Sequence, residues 1–196
     1  MNLEDCRIRF EELEKAREEL LKLLRELRIL SSKAITSIHS NRISEAEDSI
    51  REASKVLEKI KIFRNFPEIY TMSHDSMQEF VEAVLLLKVI KRQFDFSIEF
   101  EVLHSAFVTG LADLIGELRR LALSKMIIGE INESERILCL MEEIYYHLMF
   151  FSSFPEKIIP NLRNKLDVAR VGIERTKSDL ISARLYEILD RSRRHG

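Results

Sequence analysis

Residues 77–92 read Met77-Gln78-Glu79-Phe80-Val81-Glu82-Ala83-Val84-Leu85-Leu86-Leu87-Lys88-Val89-Ile90-Lys91-Arg92, and the way this segment winds decides the fold class. At about 100° per residue, Lys88, Lys91 and Arg92 gather on one side and form the expected wet face. Glu79 and Glu82 come out roughly opposite, among Ala83, Leu86, Val89 and Ile90. Acids three apart share one face of a helix. Here that face is apolar.

The next helical stretch repeats the anomaly. In Gly110-Leu111-Ala112-Asp113-Leu114-Ile115-Gly116-Glu117-Leu118-Arg119-Arg120-Leu121, Asp113 and Glu117 are four apart and stack on one face. Ala106, Gly110, Ser124 and Ile128 fall on their side. A stripe of small residues lets another helix or a ligand approach closely.

Outward from these two segments the pattern stays helical. Leu3 to Ile38 is unbroken, with apolar residues at Leu13, Leu20, Leu24, Leu27 and Ile35. Ser40-Asn41-Arg42-Ile43 is a turn, and Ser44 with Glu47 forms a capping box for a second helix ending before Phe66-Pro67. A third helix spans roughly Glu68 to Phe94, with a break expected near Ser73-His74. After a loop around Asp95 to Ser97, a fourth covers about Phe100 to Ile128 and is closed by Gly129. Asn132 with Glu135 repeats the capping signal and opens a fifth helix to about Phe151. A last helix follows Pro160 to roughly Asp190. The expected fold is all-α, an elongated bundle of six to seven helices forming one domain over 1–196, with 185–196 as a frayed basic tail.

Composition agrees with long helices: 196 residues, 45% hydrophobic, 33% charged, only 5 Gly and 3 Pro. The formal charge of −2 means that any nucleic-acid contact must use locally gathered cations. Cys6 and Cys139 match no metal spacing or disulfide framework, and so point to a reducing, cytoplasmic setting. No apolar run reaches the roughly 20 residues that cross a bilayer, and the acidic start lacks a signal-peptide pattern. Apolar surplus beyond one face, as in Val84-Leu85-Leu86-Leu87 and Ile144-Tyr145-Tyr146, points to cover by another subunit.

Burying several carboxylates together costs several kcal/mol per ion unless something neutralises them. Arginine, protons or a divalent cation would serve, and solvated or salt-bridged acids are the plainer alternative. Oxygen-only ligands with no His or Cys favour Mg²⁺ or Mn²⁺. A di-iron bundle wants two Glu-x-x-His motifs, and this chain offers one, Glu101-Val102-Leu103-His104. Nucleophilic catalysis has no local signature, because Gly-x-Ser-x-Gly is missing and neither cysteine has a nearby histidine.

The same residues carry a family resemblance. Gln78-Glu79-Phe80-Val81-Glu82-Ala83-Val84 and Gly110-Leu111-Ala112-Asp113-Leu114-Ile115-Gly116-Glu117-Leu118 with Arg120 resemble the two acidic segments of the translin superfamily, specifically its catalytic branch, translin-associated factor X. Weaker echoes are Ser32-Lys33 with Ile38-His39, and Lys165-Leu166-Asp167-Val168 with Arg170-Val171. The resemblance covers roughly Leu27 to Arg184. It implies an α-bundle assembling into a hollow octamer that binds RNA or single-stranded DNA inside. In the catalytic branch the acids matching Glu79, Glu82, Asp113 and Glu117 coordinate Mg²⁺ and cut RNA endonucleolytically. The plain translin branch lacks part of this set and mainly binds. This chain lacks the long insertion some members carry between the acidic helices. It would form the shell as a homo-oligomer, or share it with a translin-like subunit.

The resulting expectation is an endoribonuclease acting on RNA, single-stranded by preference, with those four acids as metal ligands. Its alternative is a non-catalytic binder of single-stranded RNA or DNA. Arg120 is the candidate phosphate clamp, since its fork matches phosphate geometry, and a salt bridge offsetting the acids is the simpler role. Lys33, His39 and Arg42 are expected to contact the RNA backbone. His74 is expected to be a hydrogen-bonded bystander.

Overall fold

The computed structural model describes residues 2–194. These form α1 (Leu3–His39), α2 (Ile43–Ile60), α3 (Pro67–Tyr70), α4 (His74–Ile90), α5 (His104–Ile127), α6 (Ile131–Met149) and α7 (Leu162–Arg194). Short 3-10 turns flank α3 at Lys61–Asn65 and Thr71–Ser73, so the break expected near Ser73-His74 is real. No strand occurs among the described residues, and none of their helices is long and apolar enough to cross a membrane. The final helix runs to Arg194, past the expected end near Asp190. His195 and Gly196 of the expected frayed tail, with the side chains of 190–194, lie outside the described residues.

The chain divides into two compact units, Met1–Gly110 and Leu111–Gly196. In the first, α1 packs along both α2 and α4, and α2 also meets α4. Leu20, Leu24 and Leu27 of α1 are buried, and so are Ala53, Val56 and Leu57 of α2. The central α4 is buried on most sides, so all four residues of Val84-Leu85-Leu86-Leu87 are covered by this chain itself. The expectation that another subunit covers that run is thereby corrected. Gly110, at the end of this unit, is where the small-residue stripe matters. A Cβ there would stand 2.8 Å from both the Gln78 carbonyl oxygen and Val81 Cγ1, so only glycine lets these backbones approach.

In the second unit α6 packs on α7, and the Ser134 hydroxyl donates to the Ala122 carbonyl at 3.0 Å, tying α6 to α5. Arg119 spans from α5 to α7, donating to Gly172 O, to Thr176 Oγ1 at 2.7 Å and to Asp179 Oδ2 at 3.1 Å. Tyr146 remains exposed, as expected of an apolar surplus.

Three helices end in the same way. After α1 the Arg42 N–H donates to Ser37 O and the Asn41 N–H to Ile38 O, with Asn41 left-handed at φ 57°. Equivalent pairs close α4 around Arg92 (φ 60°) and α5 around Gly129 (φ 80°). Each is a Schellman motif, satisfying carbonyls that would otherwise lack donors.

The two expected capping boxes do not form. Residue Arg42, not Ser44, is the N-cap of α2, and Glu130 is that of α6; neither gives a side-chain cap bond. The Schellman turns deliver the chain into the next helix two residues early, leaving Ser44 and Asn132 inside it. Asn132 and Glu135 instead accept from Arg184 on α7, at 2.6 and 2.7 Å. The capping box that does form is Asn2 with Asp5 at the start of α1.

Candidate functional site

Both acid pairs lie where the winding put them, half-buried at the edge of an apolar face rather than deep within it. In the first unit Glu79 and Glu82 share α4 with buried Phe80, Val81 and Ala83. Glu79 keeps 30% of its side chain exposed and takes a salt bridge from Arg28 Nε of α1 at 2.9 Å. In the second unit Asp113 and Glu117 share α5 with buried Leu114, Ile115 and Leu118. Asp113, 27% exposed, accepts both oxygens' worth of bonding from the Lys165 ammonium of α7, at 2.6 and 2.8 Å. Glu117, 23% exposed, has Arg120 at 3.8 Å along its own helix.

The remaining expected contacts divide by exposure. Arg120 is 62% exposed, so its fork is open to solvent on the side away from Glu117. Lys33 on α1 is exposed, and His39 in the last turn of α1 is half-buried. Arg42 is exposed and reaches Glu45 at 3.3 Å. His74, as expected, is hydrogen-bonded, with Nδ1 3.0 Å from Asp75. The expected wet face of α4 is only partly wet. Lys88 turns onto the following loop, donating to Asp95 Oδ2 at 2.7 Å and to Ser97 O at 2.9 Å, and Lys91 pairs with Glu47 of α2.

Sequence reasoning missed the roles of Arg28 and Lys165. Both act across helices distant in sequence, and helical periodicity reports only neighbours along one helix. Lys165 stood within a motif echo, and that was its one signal.

Each acid pair offers oxygen donors only and is half-buried, and Glu79, Asp113 and Glu117 each already draw a cationic side chain. Among the described residues no three of His, Cys, Asp or Glu form a group that could hold a metal ion by themselves.

An all-α chain of this helix order, with acid pairs on α4 and α5, defines a translin-like protein. The sequence model of the Translin family matches residues 72–178. The Methanocaldococcus jannaschii protein MJ0175 is 36% identical over 172 residues, spanning 85% of this chain and 75% of that protein. The chain belongs to the translin family. The crystal structure of AfC3PO is 52% identical with a TM-score of 0.92, covering 96% of this chain and all of that one. An AfC3PO–duplex RNA complex matches equally well over 96% and 99% of the two chains. Apo-NeC3PO, at 22% identity and TM-score 0.80, shares the fold.

Proposed function

We propose that this chain is a Mg²⁺-dependent endoribonuclease of the cytoplasm, working as a closed homo-oligomer, an octamer, around RNA. The observation that carries the reading is the likeness to AfC3PO, solved in complex with duplex RNA. The half-buried acids add the chemistry. Glu79, Glu82, Asp113 and Glu117 are assigned as oxygen ligands for Mg²⁺, with Mn²⁺ as a substitute. Such an ion, when bound, would hold a phosphate and lower the pKa of a water on it. Arg120 offers a two-pronged donor to phosphate oxygens, and Lys33, His39 and Arg42 offer backbone contacts.

Exposed apolar side chains support assembly: Tyr146 and Phe150 near the end of α6, and Val168, Ile181 and Leu185 along α7. The alternative, a non-catalytic nucleic-acid-binding shell, draws support from Arg28 and Lys165, which already balance two of the acids. Incubating the protein with single-stranded and duplex RNA, with Mg²⁺ and then with excess EDTA, separates the two. Cleavage that stops on chelation and returns on Mg²⁺ addition supports the nuclease. Undiminished cutting in EDTA rejects the metal assignment, and binding without cutting leaves the shell.

A further inference from the structure

Lys61 and Arg64 stand three apart in the 3-10 turn Lys61–Asn65, where side chains at that spacing eclipse one another. The turn thus sets two cations side by side, an arrangement that repels unless an anion lies between them. Glu101 supplies that anion. Its Oε1 accepts from Arg64 Nη1 at 2.6 Å and its Oε2 stands 4.0 Å from Lys61 Nζ, so each oxygen faces a different cation. Asp179 and Glu68, by contrast, each pair with a single cation, Arg119 and Arg9. The Arg64 guanidinium has its own support: Nε donates to the hydroxyl of buried Tyr70 at 3.2 Å, and Cζ lies 5.8 Å from that ring's centroid. Lys61 also pairs with Glu58, at 2.6 Å. The replaceable part of this arrangement is the bridging carboxylate. Glu101 is 61% exposed and sits on the connection between α4 and α5 rather than on a helix, and a pair so open to water holds weakly. A phosphate group presents the same two-oxygen edge and matches the guanidinium fork.

We propose that Lys61 and Arg64 form a phosphate-binding site whose resting occupant is the chain's own Glu101 carboxylate. The ligand is a phosphate group, carried by an RNA backbone or free in solution. All of these residues lie within the first compact unit. For RNA, the proposal rests on the RNA-binding half of the reading above. It adds a contact at the far end of α2 from Arg42, about 27 Å away along an 18-residue helix. A phosphate must displace Glu101 to enter, so the apparent affinity is lowered by the fraction of molecules in which Glu101 fills the site.

The test uses the full-length protein in EDTA, so that binding is read without cutting, and follows the anisotropy of a short labelled RNA across a salt series. Glu101→Gln should tighten binding about fivefold, the worth of an exposed ion pair removed as competitor. Its affinity should also fall more steeply with salt, by about one unit of slope, because the freed cations now hold counterions that RNA releases. Glu99→Gln removes the same charge from the same exposed connection and should shift affinity by less than about twofold. Adding Lys61→Met or Arg64→Met to Glu101→Gln should return the affinity to the wild-type value or below. Lys61→Met spares the Arg64–Tyr70 contact, so it carries the test if Arg64→Met does not fold. A Glu101→Gln gain no larger than that of Glu99→Gln overturns the proposal, as does a gain that survives loss of either cation. Should the wild type bind no RNA, the RNA-binding reading falls, and inorganic phosphate followed by equilibrium dialysis decides the site alone. Phosphate bound by Glu101→Gln and lost on adding Lys61→Met upholds it; no phosphate bound overturns it.

Discussion

Glu82 and Asp113 are where the chemistry is most exposed to test. Glu82→Gln and Asp113→Asn remove charge while keeping shape, so RNA cleavage should fall at least about a hundredfold if either is a ligand. RNA binding, read by gel shift, should hold or tighten, since anionic repulsion is relieved. Loss of both together would mean a damaged fold instead. Asp113→Asn should also cost about 1–3 kcal/mol in denaturant unfolding, the usual range for a charged hydrogen bond lost at a half-buried site. The residue types and helix faces of all four acids were legible in the sequence, because spacing along a single helix fixes them. The bridges from Arg28 and Lys165 were not, because they depend on which helices become neighbours. Burial was overstated for the same reason: periodicity marks an apolar face and is silent on how near its edge a residue lies.

Of the four glycines Gly110, Gly116, Gly129 and Gly172, Gly110 has the least room between helices. Gly110→Ala should destabilise by about 1–3 kcal/mol through overpacking against Gln78 and Val81, seen as a lower unfolding midpoint. The loop after α4 is held by charge. The hydrogen bond from Lys88 keeps the Asp95 carboxyl below its ordinary 3.8, and the hydrogen bond from Arg64 does the same for Glu101. A lowered folded pKa contributes stability above the unfolded value and loses it as pH falls through the folded one. Acid should therefore loosen residues 91–103, and amide exchange there at falling pH should match the Asp95→Asn variant at neutral pH. If the variant leaves exchange in this loop unchanged, the latch is not what holds it. Helix existence and the break before α4 were readable from apolar spacing and Pro67. The starts of α2 and α6 were misread because Asn41 and Gly129 turn the chain into the helix before the polar residues that resembled caps.

At the scale of the whole molecule, assembly and catalysis are separate claims. Light scattering on the purified protein should give about eight times the 23.0 kDa chain mass, and replacing Tyr186 and Leu185 on α7, both exposed, by Glu should lower it. A monomer in the unaltered protein would contradict the shell. The all-α class was plain in the sequence from the scarcity of Gly and Pro. The number of copies was not, because an exposed apolar side chain shows that cover is wanted without counting the partners. The central claim is that carboxylates on α4 and α5 cut RNA with the help of a divalent ion, and its most direct test is cleavage of labelled RNA in Mg²⁺ by wild type and Glu82→Ala side by side. The wild type should cut, EDTA should abolish that cutting, and the variant should not cut at all while both proteins still bind RNA; equal cutting by the two would contradict the claim.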